Sequence, residues 1–222
     1  MDAKRIAAER AVDDIQDGMI VGLGTGSTAY WAIHKLGVRI QEGLRIKAIA
    51  TSIESEELAK KLGIPLVSFA EIKETDITID GADEVDVHLN LIKGGGGALL
   101  REKIVAAASK QLLIVVDENK LVERLGAFPL PIEIVKFGYE VTIDKLRQLD
   151  CEPILRIVND MPYETDNGNF IVDCRFNEIV NPEQLHDQIN VIPGVVDNGL
   201  FVNMTSKVIV GSVNGDIREL TG

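Results

Sequence analysis

The stretch DITIDGADEVDVHLNLIKGGGGALLREK, residues 76–103, combines a short apolar strand pattern, a polar loop with four consecutive glycines and the start of an Ala-rich helix pattern. Ordering four glycines is unfavourable because each loses much backbone freedom on folding. Such a run is favoured where backbone N–H groups must approach a ligand closely. In open α/β sheets, sites form where a strand ends and a helix begins. A glycine run can also be a mobile, polar surface loop, but the acids and the lysine at fixed positions around it favour a site. The stretch therefore predicts a strand, a site-forming loop and a helix.

Strand and helix patterns alternate on both sides of this stretch in the first half of the chain. The predicted strands are 19–24, 45–50, 64–69, 76–80 and 111–117, and the predicted helices are 3–16, 27–36, 52–63 and a segment that begins near residue 99. Short apolar strands separated by helices are typical of parallel strands covered on both faces. This half predicts a doubly wound, mostly parallel α/β sheet.

The order of elements changes after the Pro-rich segment AFPLP, residues 127–131. The predicted order is strand 132–137, helix 139–149, strand 152–158, strand 170–176, helix 182–189 and strand 195–202. This β-α-β-β-α-β order predicts a smaller, inserted ferredoxin-like α+β domain. We therefore expect a large domain from residues 1–126 plus 204–222, and a small domain from residues 127–203. The strand-like tail, residues 207–220, is expected to return to the large sheet.

Composition excludes several classes of function. The chain has 222 residues and a net charge of −12, which argues against a nucleic-acid partner because phosphate backbones require clustered Lys and Arg. No apolar stretch is long enough to span a membrane, and the amino terminus lacks a signal-peptide pattern. Cys151 and Cys174 lack metal-ligand spacing and are interpreted as reduced interior thiols. Only three histidines are present and they are scattered, which argues against a zinc site. We expect a cytoplasmic protein.

A second glycine loop, GLGTGST at residues 22–28, lies between a predicted strand and a predicted helix. The dinucleotide fingerprint requires glycine at position 27, where this chain has Ser27, and the nucleotide P-loop requires a lysine that the loop lacks. Backbone N–H groups and the hydroxyls of Thr25, Ser27 and Thr28 suit a small dianion such as a sugar phosphate. The alternative is a tight turn whose helix is capped by Ser27.

Three acids and a lysine in residues 80–102 permit proton transfer beside a carbonyl group. Glu102, in the first helical turn after the glycines, is the candidate general base. Lys93 is suited to stabilise the oxyanion that develops, while Asp80 and Asp83 can hold sugar hydroxyls or move the proton that opens a furanose ring. Lys120, beyond the strand that ends at residue 117, can bring a cation to the same edge of the sheet.

Each of these residues also has a purely structural interpretation. Glu102 can complement the helix dipole, and Asp83 can form a turn or a helix cap. Lys120 can be a solvated surface charge. Paired acids can also bind Mg²⁺, although neighbouring basic side chains make a dedicated metal cage less favourable.

Four motifs together resemble ribose-5-phosphate isomerase of the A type. They are GTGSTA at 24–29, DGADE at 80–84, KGGGGALLREK at 93–103 and IPGVVDNGLF at 192–201, and the likeness runs in order along nearly the whole chain. The resemblance implies a Rossmann-like large domain with an inserted small domain. It also implies reversible conversion of D-ribose 5-phosphate to D-ribulose 5-phosphate through an enediol(ate), without a metal or other cofactor, in the non-oxidative pentose phosphate pathway.

The resemblance also implies roles for individual residues. Glu102 matches the base that moves the proton between C1 and C2, and Asp80, Asp83 and Lys93 match catalytic and substrate-binding groups. Further residues that match substrate contacts are Lys4, Thr25, Gly26, Ser27, Thr28, Gly81, Ala82, Gly94, Gly95, Gly96 and Lys120. The chain has Gly97 and Leu100 where some relatives have alanine and threonine. The resemblance to this family also implies that the protein is a homodimer or a homotetramer.

Two other hypotheses remain open from the sequence. An amino-sugar phosphate deaminase or a CoA transferase can share this type of fold, and a deaminase would release ammonia from glucosamine 6-phosphate. A sugar-phosphate sensor would bind without turnover. A sensor can lack a working base, whereas this chain has Glu102, and no basic helix-turn-helix segment is evident.

Overall fold

A computed structural model describes residues 2–222. The helices are α1 Ala3–Val12, α2 Ser27–Gln41, α3 Ile53–Lys61, α4 Leu99–Ala107, α5 Tyr139–Arg147 and α6 Pro182–Asn190, with a 3₁₀ helix at Glu118–Lys120. The strands are β1 Ile20–Leu23, β2 Lys47–Ala50, β3 Ile77–Asp80, β4 Glu84–Val85, β5 Leu91–Ile92, β6 Leu112–Asp117, β7 Leu130–Ile134, β8 Glu152–Leu155, β9 Ile157–Val158, β10 Met161–Pro162, β11 Phe170–Arg175, β12 Val195–Asn198, β13 Leu200–Phe201, β14 Lys207–Gly211 and β15 Ile217–Leu220.

The chain forms two compact units whose boundaries differ from the predicted ones. The first unit is Met1–Ala82, Arg101–Leu121 and Asn203–Gly222, and the second is Asp83–Leu100 and Val122–Val202. The sequence assigned residues 83–100 to the large domain, but they lie in the second unit. The reason is the three-stranded sheet β13-β5-β4, which pairs this segment with Leu200–Phe201. Strands of two residues are too short to show an apolar pattern in the sequence.

The first unit is built on a six-stranded sheet with the order β15-β14-β6-β3-β1-β2. All neighbours are parallel except β14 and β15, which are antiparallel. The predicted α/β class with a mostly parallel sheet is confirmed, and the tail returns to this sheet as β14 and β15. The predicted strand 64–69 is reduced to one bridge between Leu66 and Ala48. Pro65 lacks the N–H that a longer ladder would need.

Helix α3 shows how local sequence sets the helix ends in this unit. Ser52 is the N-cap, and its hydroxyl accepts a hydrogen bond from the backbone N–H of Ser55 at 3.1 Å. Acidic residues occupy the first turn and Lys60 and Lys61 the last, as the helix dipole favours. Gly63, with φ of +71°, follows the helix end. The predicted acidic start, basic end and glycine stop are all present.

The second unit contains a four-stranded antiparallel sheet with the order β12-β7-β11-β8. Helix α5 lies between β7 and β8 in the chain, and α6 lies between β11 and β12. This is the predicted ferredoxin-like arrangement. Side chains from the sheet and both helices form its core, including Ile132, Ile134, Leu146, Val172 and Ile189. Cys151 and Cys174 are buried and are not joined in a disulfide.

Within residues 2–222, the helices are all too short or too polar to cross a lipid bilayer.

Asp76 joins the starts of two neighbouring strands in the first unit. Its carboxylate accepts a hydrogen bond from the backbone N–H of Ile20 at 2.8 Å and from the ammonium of Lys110 at 2.9 Å. The hydrogen bond from Lys110, followed by that from Ile20, lowers the pKa of Asp76. A lowered pKa in the folded state means that the charged carboxylate stabilises the fold at neutral pH.

We expect Asp76→Asn to lower the free energy of unfolding by about 1 kcal/mol at pH 7, because a partly exposed ionic hydrogen bond is lost. Urea denaturation at several pH values measures this difference. The difference should disappear as the pH falls through the lowered pKa of Asp76, where the wild-type carboxyl group is protonated as well. Glu74→Gln removes the exposed second partner of Lys110 and serves as the control, with an expected change near zero. An equal loss at pH 7 and pH 2.5 would contradict this account.

Candidate functional site

The carboxyl ends of β1 and β3 meet at Gly24 and Asp80 in the first unit. The two strands are parallel neighbours, with Leu23 opposite Ile79. Asp80 is 1% exposed, and its Oδ1 accepts hydrogen bonds from the backbone N–H groups of Thr25 at 3.1 Å and Gly81 at 2.8 Å. A Cβ added to Gly24 would lie 2.2 Å from this oxygen and 2.6 Å from the Asp80 Cα. Only glycine permits this close approach.

The loop after β1 leaves the amino end of α2 without a side-chain cap. The N-cap residue is Gly26, with φ of +91°, and Ser27 is the first helical residue. The alternative in which Ser27 caps a structural turn is therefore wrong. Backbone N–H groups at an uncapped helix start, together with the helix dipole, favour a bound anion.

Lys4 reaches the same loop from α1. Its Nζ donates a hydrogen bond to the Ser27 Oγ at 3.1 Å. Asp2 caps α1 by accepting from the backbone N–H groups of Lys4 and Arg5, which fixes the turn that carries the lysine. The structure therefore brings Lys4 to the predicted binding loop, although the sequence around it is not distinctive.

Hydroxyl groups after β2 hold this loop, and the sequence analysis missed them. Thr25 Oγ1 lies 2.7 Å from Thr51 Oγ1 and 2.8 Å from Ser52 Oγ. Ser55 Oγ donates to the Gly24 carbonyl at 2.6 Å. Ser52 was recognisable as a helix cap, but its contact with Thr25 follows from the pairing of β1 with β2, which local sequence does not reveal.

Other predicted residues of the first unit follow the neighbouring strands. A Cβ on Gly81 would lie 3.8 Å from the Thr28 Cβ, so the loops after β1 and β3 are in contact. Lys120 ends the 3₁₀ helix after β6, the strand beside β3. Glu102 is in the first turn of α4 and is only 5% exposed. A glutamate that merely complements the helix dipole does not need burial, so this observation favours a functional role.

In the second unit, Asp83 and the glycine loop pack against each other. Asp83 Oδ2 accepts a hydrogen bond from the Gly95 N–H at 2.7 Å, and a Cβ on Gly95 would lie 2.6 Å from Asp83 Oδ1. Gly94 has φ of +102°, and a Cβ there would lie 2.9 Å from the Leu99 side chain. These glycines are required by close contacts. The conformation of the glycine loop is therefore fixed by contacts within the fold.

Lys93 is buried in the second unit with an exposure of 2%. Its backbone N–H donates to the Gly199 carbonyl at 2.9 Å, and its Nζ lies 5.5 Å from the centre of the Phe201 ring. An ammonium over an aromatic ring is stabilised by the ring quadrupole. Gly199 and Phe201 belong to the motif at 192–201, which the sequence analysis quoted without assigning a role to these two residues.

No group of three or more His, Cys, Asp and Glu side chains in the described part of the chain is arranged to hold a metal ion. Asp80 and Asp83 accept hydrogen bonds from backbone N–H groups.

Comparison with known proteins identifies the family. The sequence model described as "Ribose 5-phosphate isomerase A (phosphoriboisomerase A)" matches residues 47–215. Ribose-5-phosphate isomerase A from Bacillus thuringiensis subsp. konkukian is 60% identical over 221 residues, which cover 99% of this chain and 100% of that protein. The chain belongs to the ribose 5-phosphate isomerase A family. The resemblance stated from the motifs is confirmed, and so is the prediction of an enzyme of the isomerase class.

Solved structures of the family share the fold. Ribose 5-phosphate isomerase A from Methanocaldococcus jannaschii superposes with a TM-score of 0.94 at 43% identity, covering 99% of this chain and 98% of that one. A D-ribose-5-phosphate isomerase in complex with phospho-erythronic acid superposes with a TM-score of 0.96 at 38% identity, covering 100% of both chains.

We expect Gly24→Ala to lower the free energy of unfolding by about 1–3 kcal/mol, because the new Cβ overlaps the Asp80 side chain and backbone. Isomerase turnover should fall by about 10²-fold, since Asp80 must shift. Denaturation and steady-state kinetics measure the two effects. Gly43→Ala is the control: it introduces a side chain at a φ of +110° where nothing lies within 4 Å, so it should reduce stability but preserve turnover. Normal turnover in Gly24→Ala would show that Asp80 does not depend on this contact.

Proposed function

We propose that the protein interconverts D-ribose 5-phosphate and D-ribulose 5-phosphate through an enediol(ate), with Glu102 as the general base and without a metal. The observation that carries this proposal is the burial of Glu102 in the first turn of α4, within a chain that belongs to the isomerase family. A carboxylate that must remove a carbon-bound proton benefits from a site shielded from water. This activity is the aldose–ketose step of the non-oxidative pentose phosphate pathway.

The loop at the start of α2 is the proposed phosphate site. Gly26 leaves the first helical N–H groups uncapped, and Thr25, Ser27 and Thr28 supply hydroxyl groups. Lys4 adds an ammonium beside Ser27, with 3.1 Å between Nζ and Oγ. A phosphate dianion matches this combination of N–H groups, helix dipole and cation. The related structure in complex with phospho-erythronic acid supports a phosphorylated sugar-like ligand.

We assign the remaining site residues to the binding and chemistry of the sugar part of the substrate. Asp80 or Asp83 moves the proton that opens the furanose ring and holds sugar hydroxyls. Glu102 then removes the proton from C2 of the aldose and returns it to C1, and the reverse reaction uses the same groups. Lys93 stabilises the negative oxygen of the enediolate. The other proposed contacts to substrate are Gly81, Ala82, Gly94, Gly95, Gly96 and Lys120.

The family resemblance further supports a homodimer or homotetramer in the cytoplasm. Light scattering coupled to size-exclusion chromatography measures the oligomeric state directly.

We expect Glu102→Gln to lower kcat for ribose 5-phosphate by at least about 10²-fold with a modest change in KM, because the amide keeps the shape but cannot accept the proton. A coupled assay for ribulose 5-phosphate gives both constants. Glu140→Gln is the matched control: Glu140 is also an acid in the first turn of a helix, but it is exposed and has no proposed role. If Glu102→Gln turned over substrate at a rate close to wild type, Glu102 would not be the general base.

We expect Lys4→Ala to raise KM for ribose 5-phosphate by about 10-fold while kcat stays within about threefold, since the phosphate is bound equally in the ground state and the transition state. Steady-state kinetics at several salt concentrations measure this change. Arg5→Ala is the control, because Arg5 lies one residue further along α1, pairs with Glu9 and packs on Trp31. A fall in kcat with unchanged KM would place Lys4 at the reacting end of the substrate.

A further inference from the structure

We infer that Arg156 is a positioning residue of the isomerase: it holds the glycine loop through the carbonyls of Gly94 and Gly95 and so sets the place of the Asp83 carboxylate. This inference rests on the proposed function, in which Asp83 acts on the sugar. Arg156 lies in none of the motifs that identify the family, and all of its contacts described here are within the second unit.

The guanidinium of Arg156 joins the glycine loop to the four-stranded sheet. Its Nη1 donates to the carbonyls of Gly94 at 3.1 Å and Gly95 at 3.2 Å. Its Nε donates to Asp173 Oδ2 at 2.9 Å, and its Nη2 donates to Asp173 Oδ1 at 2.5 Å. Asp173 is in β11, and the backbone N–H of Arg156 donates to Ile171 of the same strand at 2.8 Å. Both ends of the arginine are therefore fixed to the sheet.

An arginine is required for this geometry. The planar guanidinium forms a bidentate pair with the carboxylate through Nε and Nη2, and its Nη1 remains available to donate to two carbonyls. The side chains of Arg156 and Asp173 are only 14% and 25% exposed, so water competes weakly for the hydrogen bonds between these two residues. A lysine ammonium is a single point donor on a flexible chain and cannot form the same set of contacts.

Gly95 connects Arg156 to Asp83. Its carbonyl accepts from Arg156, and its N–H donates to Asp83 Oδ2 at 2.7 Å. Because glycine has no side chain, the place of this residue depends on such backbone contacts and on its close packing against Asp83. Removal of the guanidinium releases the carbonyl side of the loop, and the N–H that orients the Asp83 carboxylate moves with it.

Kinetics of Arg156→Ala, Arg156→Lys and Asp173→Asn test the inference. We expect kcat for ribose 5-phosphate to fall by about 10- to 10²-fold in the two Arg156 variants and less in Asp173→Asn, since displacement of a catalytic group by about 1 Å has effects of this size. KM should change by a smaller factor than kcat, because the glycine loop supplies only part of the proposed substrate contacts and the proposed phosphate site is in the first unit. Arg175→Ala is the matched control: Arg175 is an exposed arginine at the end of β11 that pairs with Glu152 at 3.5 Å, and its kcat should be unchanged.

A double-mutant cycle separates positioning of Asp83 from a general loss of structure. Asp83→Asn combined with Arg156→Ala should lower kcat by less than the product of the two single effects, since both act on one group. In the control cycle, Asp83→Asn combined with Arg175→Ala should lower kcat by the product of the two single effects. All rates are expressed per folded protein, measured by circular dichroism. If Arg156→Ala does not fold, Arg156→Lys takes its place in the cycle.

The outcomes distinguish this inference from the proposed function. A wild-type protein without turnover of ribose 5-phosphate overturns the proposed function. An active wild type with folded Arg156 variants whose kcat lies within twofold of it overturns this inference alone. Fully multiplicative effects of Arg156→Ala and Asp83→Asn overturn it as well, because they would show that Arg156 does not act through Asp83.

Discussion

The close approach of Gly24 to Asp80 is the contact on which the candidate site residues of the first unit depend. β1 and β3 run side by side in register, so their carboxyl ends must both turn within the same small volume. The Asp80 carboxylate fills the space where a side chain on residue 24 would lie and binds the N–H groups of both turns. The same contact that closes the sheet edge therefore fixes a buried acid in a defined orientation.

The second unit orders its candidate residues by a different means. Residues 83–100 form two very short strands and a glycine loop, with little apolar side-chain surface in the loop itself. Hydrogen bonds from distant segments supply the order: Gly199 accepts from the backbone of Lys93, and Arg156 and Asp83 hold Gly95 from its two sides. The contact from Arg156 also involves the four-stranded sheet, because Asp173 of β11 holds the guanidinium. We therefore expect substitutions at Arg156 to affect the glycine loop, although the two segments are far apart in sequence.

The sequence predicted the strands and helices that show a periodic apolar pattern. It missed the features that depend on single long-range contacts. Alternating strand and helix patterns were sufficient for the parallel sheet and for the ferredoxin-like order, because each element has enough residues to show its apolar face. The segment 83–100 was assigned to the wrong unit since strands β4 and β5 have two residues each. Ser27 was considered as the N-cap of α2 because local sequence does not distinguish it from Gly26. The backbone conformation shows that Gly26 is the N-cap.

The acids and the lysine of residues 80–102 were proposed from their types and spacing, and Lys4 only from the family resemblance. The sequence predicted none of their environments, and it did not single out Arg156. Lys4 and Arg156 illustrate the difference. The described partner of the Lys4 ammonium is the hydroxyl of Ser27, which leaves its positive charge available to a dianion. Arg156 is paired with the carboxylate of Asp173, which neutralises its charge. In an acidic chain with a net charge of −12, this distinction decides which cations bind ligand and which hold the fold. We therefore propose that Arg156 acts on the reaction through the backbone of Gly94 and Gly95, and that Lys4 binds the phosphate directly.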